Sequence, residues 1–151
     1  GLAMSEKDID MIERVIHINK DASQFFKAIQ QSAESFELKG RMAALYEIHR
    51  NIVQNLKMHL TLKENKDQHT LEDELKVAKN DEIFNECFTK LNAQNDHELI
   101  GQIEAAEDQC EGMIKNMVKD SEVLKSTKEV IARQMLYLKK SFEYFKSLKS
   151  I

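Results

Sequence analysis

Apolar residues recur at intervals of three and four along most of this chain, the spacing that one face of an α-helix requires. Near the N-terminus, Met11, Val15, Ile18, Ala22, Phe25, Phe26 and Ile29 share one face. Ser5 stands where an N-cap is needed, with Asp8 three residues on, so a first helix is predicted over about residues 5–33. Ser35 caps a second over about 36–62, whose stripe is Leu38, Met42, Leu45, Ile52, Val53, Leu56 and Leu60. Asn95 or Asp96 opens a third over about 96–119, with Glu98 placed to complete a capping box from Asn95. Its buried face is Leu99, Ile103, Ala106, Cys110, Met113 and Met117. After a turn at Asp120 and Ser121, a fourth helix over about 122–149 carries Val130, Ile131, Leu138, Phe142, Phe145 and Leu148.

These helices match in length, about 36 to 43 Å at the helical rise. Tight turns from first to second and from third to fourth imply two antiparallel hairpins. The stretch between them starts polar. Thr70 then caps short helices over about 70–92 with Leu71, Leu75, Ala78, Ile83, Phe84, Cys87, Phe88 and Leu91. Such a segment is long enough to travel the bundle and set the second and third helices parallel. The expectation is one all-α domain over 1–151: a ferritin-like four-helix bundle with one long, partly helical crossover between helices 2 and 3.

Several short stretches carry a resemblance. Asn19-Lys20-Asp21-Ala22 leads to Phe25-Phe26 in the first helix, and Glu37-Leu38-Lys39 opens the second. Glu104 with Ala106-Glu107-Asp108 follows in the third, and Arg133-Gln134 in the fourth. With these the chain resembles, over essentially its whole length, a bacterial ferritin-like four-helix-bundle family classed as a domain of unknown function. The resemblance implies the bundle fold and, more loosely, a link to stress physiology.

Composition sharpens the fold and narrows the chemistry. With no proline, no tryptophan and four glycines in 151 residues, nothing interrupts long helices. No Val/Ile/Thr-rich runs bounded by turn residues are present to build a sheet. The net charge of −4, with both signs interspersed, argues against a nucleic-acid partner. The most basic stretch, Lys139, Lys140, Lys146 and Lys149, complements the dipole of the last helix. Cys87 and Cys110 have no scaffold or metal spacing and read as free thiols in a reducing compartment. No apolar run is long enough for a membrane span, and no signal-peptide pattern precedes Ser5, so a cytoplasmic location is expected. Gly1-Leu2-Ala3 ahead of Met4 reads as an expression remnant.

The sharpest chemical question is a di-metal centre. It would need one Glu from each of two helices and a Glu-x-x-His from each of the other two. The mid-height residues are Asn19, His49, Glu107 and Gln134. The positions three before His49 and Gln134 are Tyr46 and Ile131, neither a carboxylate, and Glu47 projects away from its stripe. Only His49 and Glu107 remain as good ligands. A polar layer hydrogen-bonded across the core, fixing helix register, is the expected role of these residues. No metal, cofactor or catalytic residue is assigned. A single metal or small molecule held near His49 is the alternative.

Elsewhere, Glu13, His17 and Asp21 lie four apart on one side of the first helix, a spacing that could hold a divalent ion. On a face away from the main stripe they read as a solvated charged face, as do Glu104, Asp108 and Glu111. Met113 and Met117 read as core filler. No nucleophile turn or phosphate-binding glycine loop is present, Gly101 and Gly112 being isolated within a helix. Ile9, Ile12 and Ile16 form a second apolar stripe on the first helix, which either the crossover's Phe84, Phe88 and Leu91 or a second subunit must cover. A homodimer through Ile9, Ile12 and Ile16 is one expectation. The functional expectation is a non-catalytic helical bundle, a structural or protein-interaction module. The alternative is a metal-binding ferritin relative with redox or iron-handling activity.

Overall fold

The computed structural model describes residues 4–64, 92–119 and 122–147. They form four helices: α1 (Glu6–Ile29), α2 (Phe36–Glu64), α3 (Asp96–Val118) and α4 (Lys125–Ser147). A single 3-10 turn, Gln30–Ser32, follows α1 and accounts for the predicted extension to about residue 33. Among the described residues there is no strand. The all-helical prediction holds. The predicted helices at about 70–92, including Phe84, Cys87, Phe88 and Leu91, and the turn at Asp120 and Ser121 lie outside the described residues. So do Leu148 and the side chains of Phe142 and Phe145.

Each helix start shows why it begins where it does. Ser5 and Asp8 form a reciprocal capping box: the Asp8 N–H donates to Ser5 Oγ (3.2 Å), and the Ser5 N–H and hydroxyl donate to Asp8 Oδ2 (3.0 and 2.6 Å). The Leu38 N–H donates to Ser35 Oγ (3.1 Å), so Ser35 caps α2. Asn95 Oδ1 accepts from the Glu98 N–H (2.9 Å), but the Glu98 carboxylate accepts from the Gln94 N–H (2.9 Å). The predicted box is therefore offset by one residue on its return leg. α4 starts at Lys125 instead of about 122, with the Leu124 N–H just ahead of it committed to Asp8 Oδ1 (2.8 Å).

That last bond also sets direction. Asp8, at the start of α1, reaches the start of α4, so the two helices begin at one end of the molecule. Asp96, the first residue of α3, accepts from the Glu34 and Ser35 N–H groups (2.8 and 2.7 Å) just ahead of α2. Hence α2 and α3 begin together at the opposite end. α1 runs antiparallel to α2, and α3 to α4. Glu64 and Asn92, the residues flanking the undescribed connection, stand toward opposite ends.

α1 and α2 share the most extensive contact, and α4 packs on α2 and α3 and more lightly on α1. The core contains Met11, Val15, Ile18, Ala22 and Phe26 from α1 and every predicted stripe residue of α2. From α3 it takes Leu99, Ile103, Ala106 and Cys110, with Ile100 and Ile114 added. Met113, Met117, Val130, Phe25 and Ile29 pack at its margin. Ile12 and Ile16 are fully enclosed within the single chain and Ile9 is half-buried, so the second stripe is part of the same core.

Candidate functional site

The middle of the bundle holds a buried polar chain. α1 contributes Asn19, α2 His49 and α3 Glu107, exposed by 1%, 3% and 2%. Asn19 sits one helical turn after Val15, and its Nδ2–H donates to the Val15 carbonyl (2.8 Å). That bond fixes the amide, because the opposite orientation would set two oxygens face to face. Asn19 Oδ1 therefore points at His49 Nδ1 (2.8 Å), and Nδ1 carries the bridging hydrogen. His49 Nε2 meets Glu107 Oε1 at 3.2 Å.

With Nδ1 already protonated, a second proton must lie between Nε2 and Oε1, since two acceptors cannot bond. The pair is imidazolium with carboxylate, or imidazole with carboxylic acid. Both forms satisfy every contact described. The Phe26 ring stacks on the imidazole at 5.5 Å between centroids and 13° between planes, closing one face of it. Phe25 meets Phe26 edge-on.

Three of the four predicted mid-height residues are brought together here. The fourth is not: Gln134 is half-buried at the margin of the core, where its Oε1 accepts from Asn55 Nδ2 (3.0 Å). Four-residue spacing along α4 places Gln134 near the apolar stripe, but its amide meets Asn55 on α2 in place of His49. His17 departs in the opposite sense, being buried where a solvated face was expected. Its Nε2 has no hydrogen-bond partner among the described residues. Glu13 and Asp21, four residues to either side, are half-buried. Burial raises the Asp21 carboxyl above its ordinary value, with the charges of His17 and Lys20 opposing. On α3, Asp108 is exposed as expected, but Glu104 and Glu111 are half-buried, Glu111 pairing with Lys115 (3.1 Å). Among the described residues, no three His, Cys, Asp or Glu side chains are grouped to hold a metal ion.

Sequence reasoning missed the two aspartate clamps. Burial alone would raise Asp8, but hydrogen bonds from Ser5, Leu124 and Thr127 hold its carboxyl below the ordinary value. Asp96 behaves likewise: burial opposes, while the Glu34 and Ser35 N–H groups, the Ser35 hydroxyl and the charge of Lys39 lower it. The available signal was an aspartate in the first turn of each of two helices, which reads equally well as favouring its own helix dipole.

A second concavity lies on the surface. The C-terminal half of α3 and the first two-thirds of α4 enclose a groove of about 440 Å³. Its apolar walls include Ile114, Val118, Ile131, Met135 and Leu136, and Lys115, Lys119, Lys128 and Lys139 edge it with Glu111.

Comparisons with family models, curated proteins and solved structures return no match for this chain. Among the described residues, no helix is long and apolar enough to cross a membrane.

Proposed function

We propose that this protein is a non-catalytic, cytoplasmic helical bundle of ferritin-like topology that acts as a structural or protein-interaction module. One observation carries the reading. The histidine and carboxylate at mid-height, where a bundle of this kind would place reactive groups, are spent on each other and on Asn19. An enclosed polar layer of this kind holds helix register, and it leaves His49 no free nitrogen to offer a ligand. The parallel starts of α2 and α3 support the ferritin-like topology. Exposed apolar side chains, Phe36 at 92% and Leu62 at 76% foremost, support contacts with other proteins. Self-association near Ile9 belongs to the same proposal, Ile9 being the residue of its stripe that retains surface.

The competing reading is a metal-binding ferritin relative, in which His49 and Glu107 part to admit an ion. Elemental analysis and light-scattering mass on one sample purified without chelator separate the two. Substoichiometric metal is the expected outcome. Iron, manganese or zinc bound one-to-one, and lost on changing His49→Gln, would replace this proposal with the competing one.

A further inference from the structure

The α3–α4 groove is chemically lopsided. Its apolar walls carry four lysines against one glutamate. Glu111 engages Lys115 (3.1 Å), which leaves three lysines around the groove with no carboxylate partner among the described residues: Lys119, Lys128 and Lys139. Lys119 and Lys128 stand at the end nearest the α3–α4 connection. Lys139 belongs to the other end, some eleven residues or about 16 Å further along α4, where Glu111 also lies. The two ends therefore differ in charge. One gathers two ammonium groups with no carboxylate partner among the described residues, while at the other a single such lysine, Lys139, stands with a Glu111 carboxylate already engaged by Lys115.

Size selects among occupants. A volume of about 440 Å³ falls within the range of small-molecule sites, roughly 300–1,000 Å³. The eleven residues that line it fall short of the roughly 20–30 a side in a stable protein interface. The walls are aliphatic and one of them, Leu136, is 54% exposed, which a flexible apolar tail would cover. We propose that this groove binds a single-chain anionic amphiphile, an aliphatic carboxylate. Its head group sits between Lys119 and Lys128, and its tail runs along Ile131 and Met135 toward Leu136. This inference stands apart from the buried His49 layer and does not depend on it.

The test is calorimetric titration of the full-length protein with octanoate, decanoate and dodecanoate below their micelle concentrations, alongside 1-decanol. Affinity should rise about fourfold per added methylene until the groove is full. Decanoate should bind at least tenfold more tightly than decanol. The double variant Lys119→Glu/Lys128→Glu should lose that tenfold advantage while retaining decanol binding. Lys27→Glu, an equal change of charge per site on α1, should leave both unchanged. Circular-dichroism melts of each variant confirm that the fold persists, and Leu136→Glu, at an exposed position, should abolish tail binding without touching the lysines. Three results overturn the proposal: no decanoate uptake at millimolar concentration, equal binding of acid and alcohol, or binding confined to an acidic amphipathic peptide or to anionic phospholipid vesicles. The last would reassign the groove to a protein or a membrane surface.

Discussion

The two helical hairpins of this molecule are built differently. α1 and α2 lie against each other along most of their length, with Ile12, Val15, Ile16, Phe26, Leu38, Met42, Leu45, Ile52 and Leu56 almost fully removed from water. Asn19 and His49 bond across that interface. α3 and α4 touch less extensively, and between them the groove opens to solvent. α3 also carries two interior glycines, Gly101 and Gly112, where α1 has none. The first hairpin packs its stripes against each other and against α4, leaving Phe36, Met58 and Leu62 of α2 exposed. The second leaves an apolar groove open between its own two helices, and the hairpins are joined at mid-height through Glu107 and at the ends through Asp8 and Asp96.

The largest expected effect comes from breaking that central joint. His49→Leu leaves Glu107 as an unpaired buried carboxylate and should cost about 3–5 kcal/mol in urea unfolding. Glu107→Gln should cost far less, about 1 kcal/mol, because a Gln amide can donate to Nε2 of the Nδ1–H imidazole. In that variant the nitrogen NMR signals of His49 should report a neutral ring with Nδ1 protonated. A cost as large as that of His49→Leu would mean that the second proton is not shared as described.

Next, a matched pair of truncations compares the hairpins directly. Leu45→Ala, in the tight hairpin, should destabilise by about 2–5 kcal/mol, whereas Leu136→Ala, on the groove wall, should stay within about 0.5 kcal/mol. Similar values at the two positions would remove the contrast between the hairpins.

The clamps give a pH-dependent comparison. Both aspartates have folded-state values below the ordinary 3.8, so their stabilisation is complete above it and is lost as pH falls through the lowered values. Unfolding free energy should therefore decline below about pH 4, with Asp21, shifted upward, acting in the opposite sense. Asp8→Ala should cost about 2 kcal/mol near neutrality, and its deficit should shrink on acidification. Asp96→Ala should cost less, because its site is more open to water than that of the fully buried Asp8.

The smallest effect concerns α3. A Cβ added at Gly112 meets open space, so Gly112→Ala should stabilise by about 0.5–1 kcal/mol through helix propensity. The thermal midpoint should rise without any change in groove binding.

The helices and most core positions were legible because burial on one side of a helix leaves a period in the sequence. Every predicted stripe residue of α2 is buried for that reason. Where two faces of one helix are covered, the period no longer identifies a single stripe. On α1 it therefore assigns Ile12 and Ile16 to a second face needing separate cover and His17 to a solvated one, although all three are buried. Gln134 failed for the converse reason. Position along a stripe gives a residue's height in the bundle but not the few tens of degrees of rotation that separate the centre of the core from its margin.

By itself, the sequence determined that the chain is helical, where its helices begin at Ser5, Ser35 and Asn95, and which residue types occupy mid-height. These follow from backbone capping and side-chain period, both local properties of the chain. Tertiary structure decided which of those residues meet. The Asp8–Leu124 bond joins groups 116 positions apart, and His49–Glu107 joins groups 58 apart. No local preference encodes such distances; they arise when apolar faces pack and buried polar groups must find the partners left within reach.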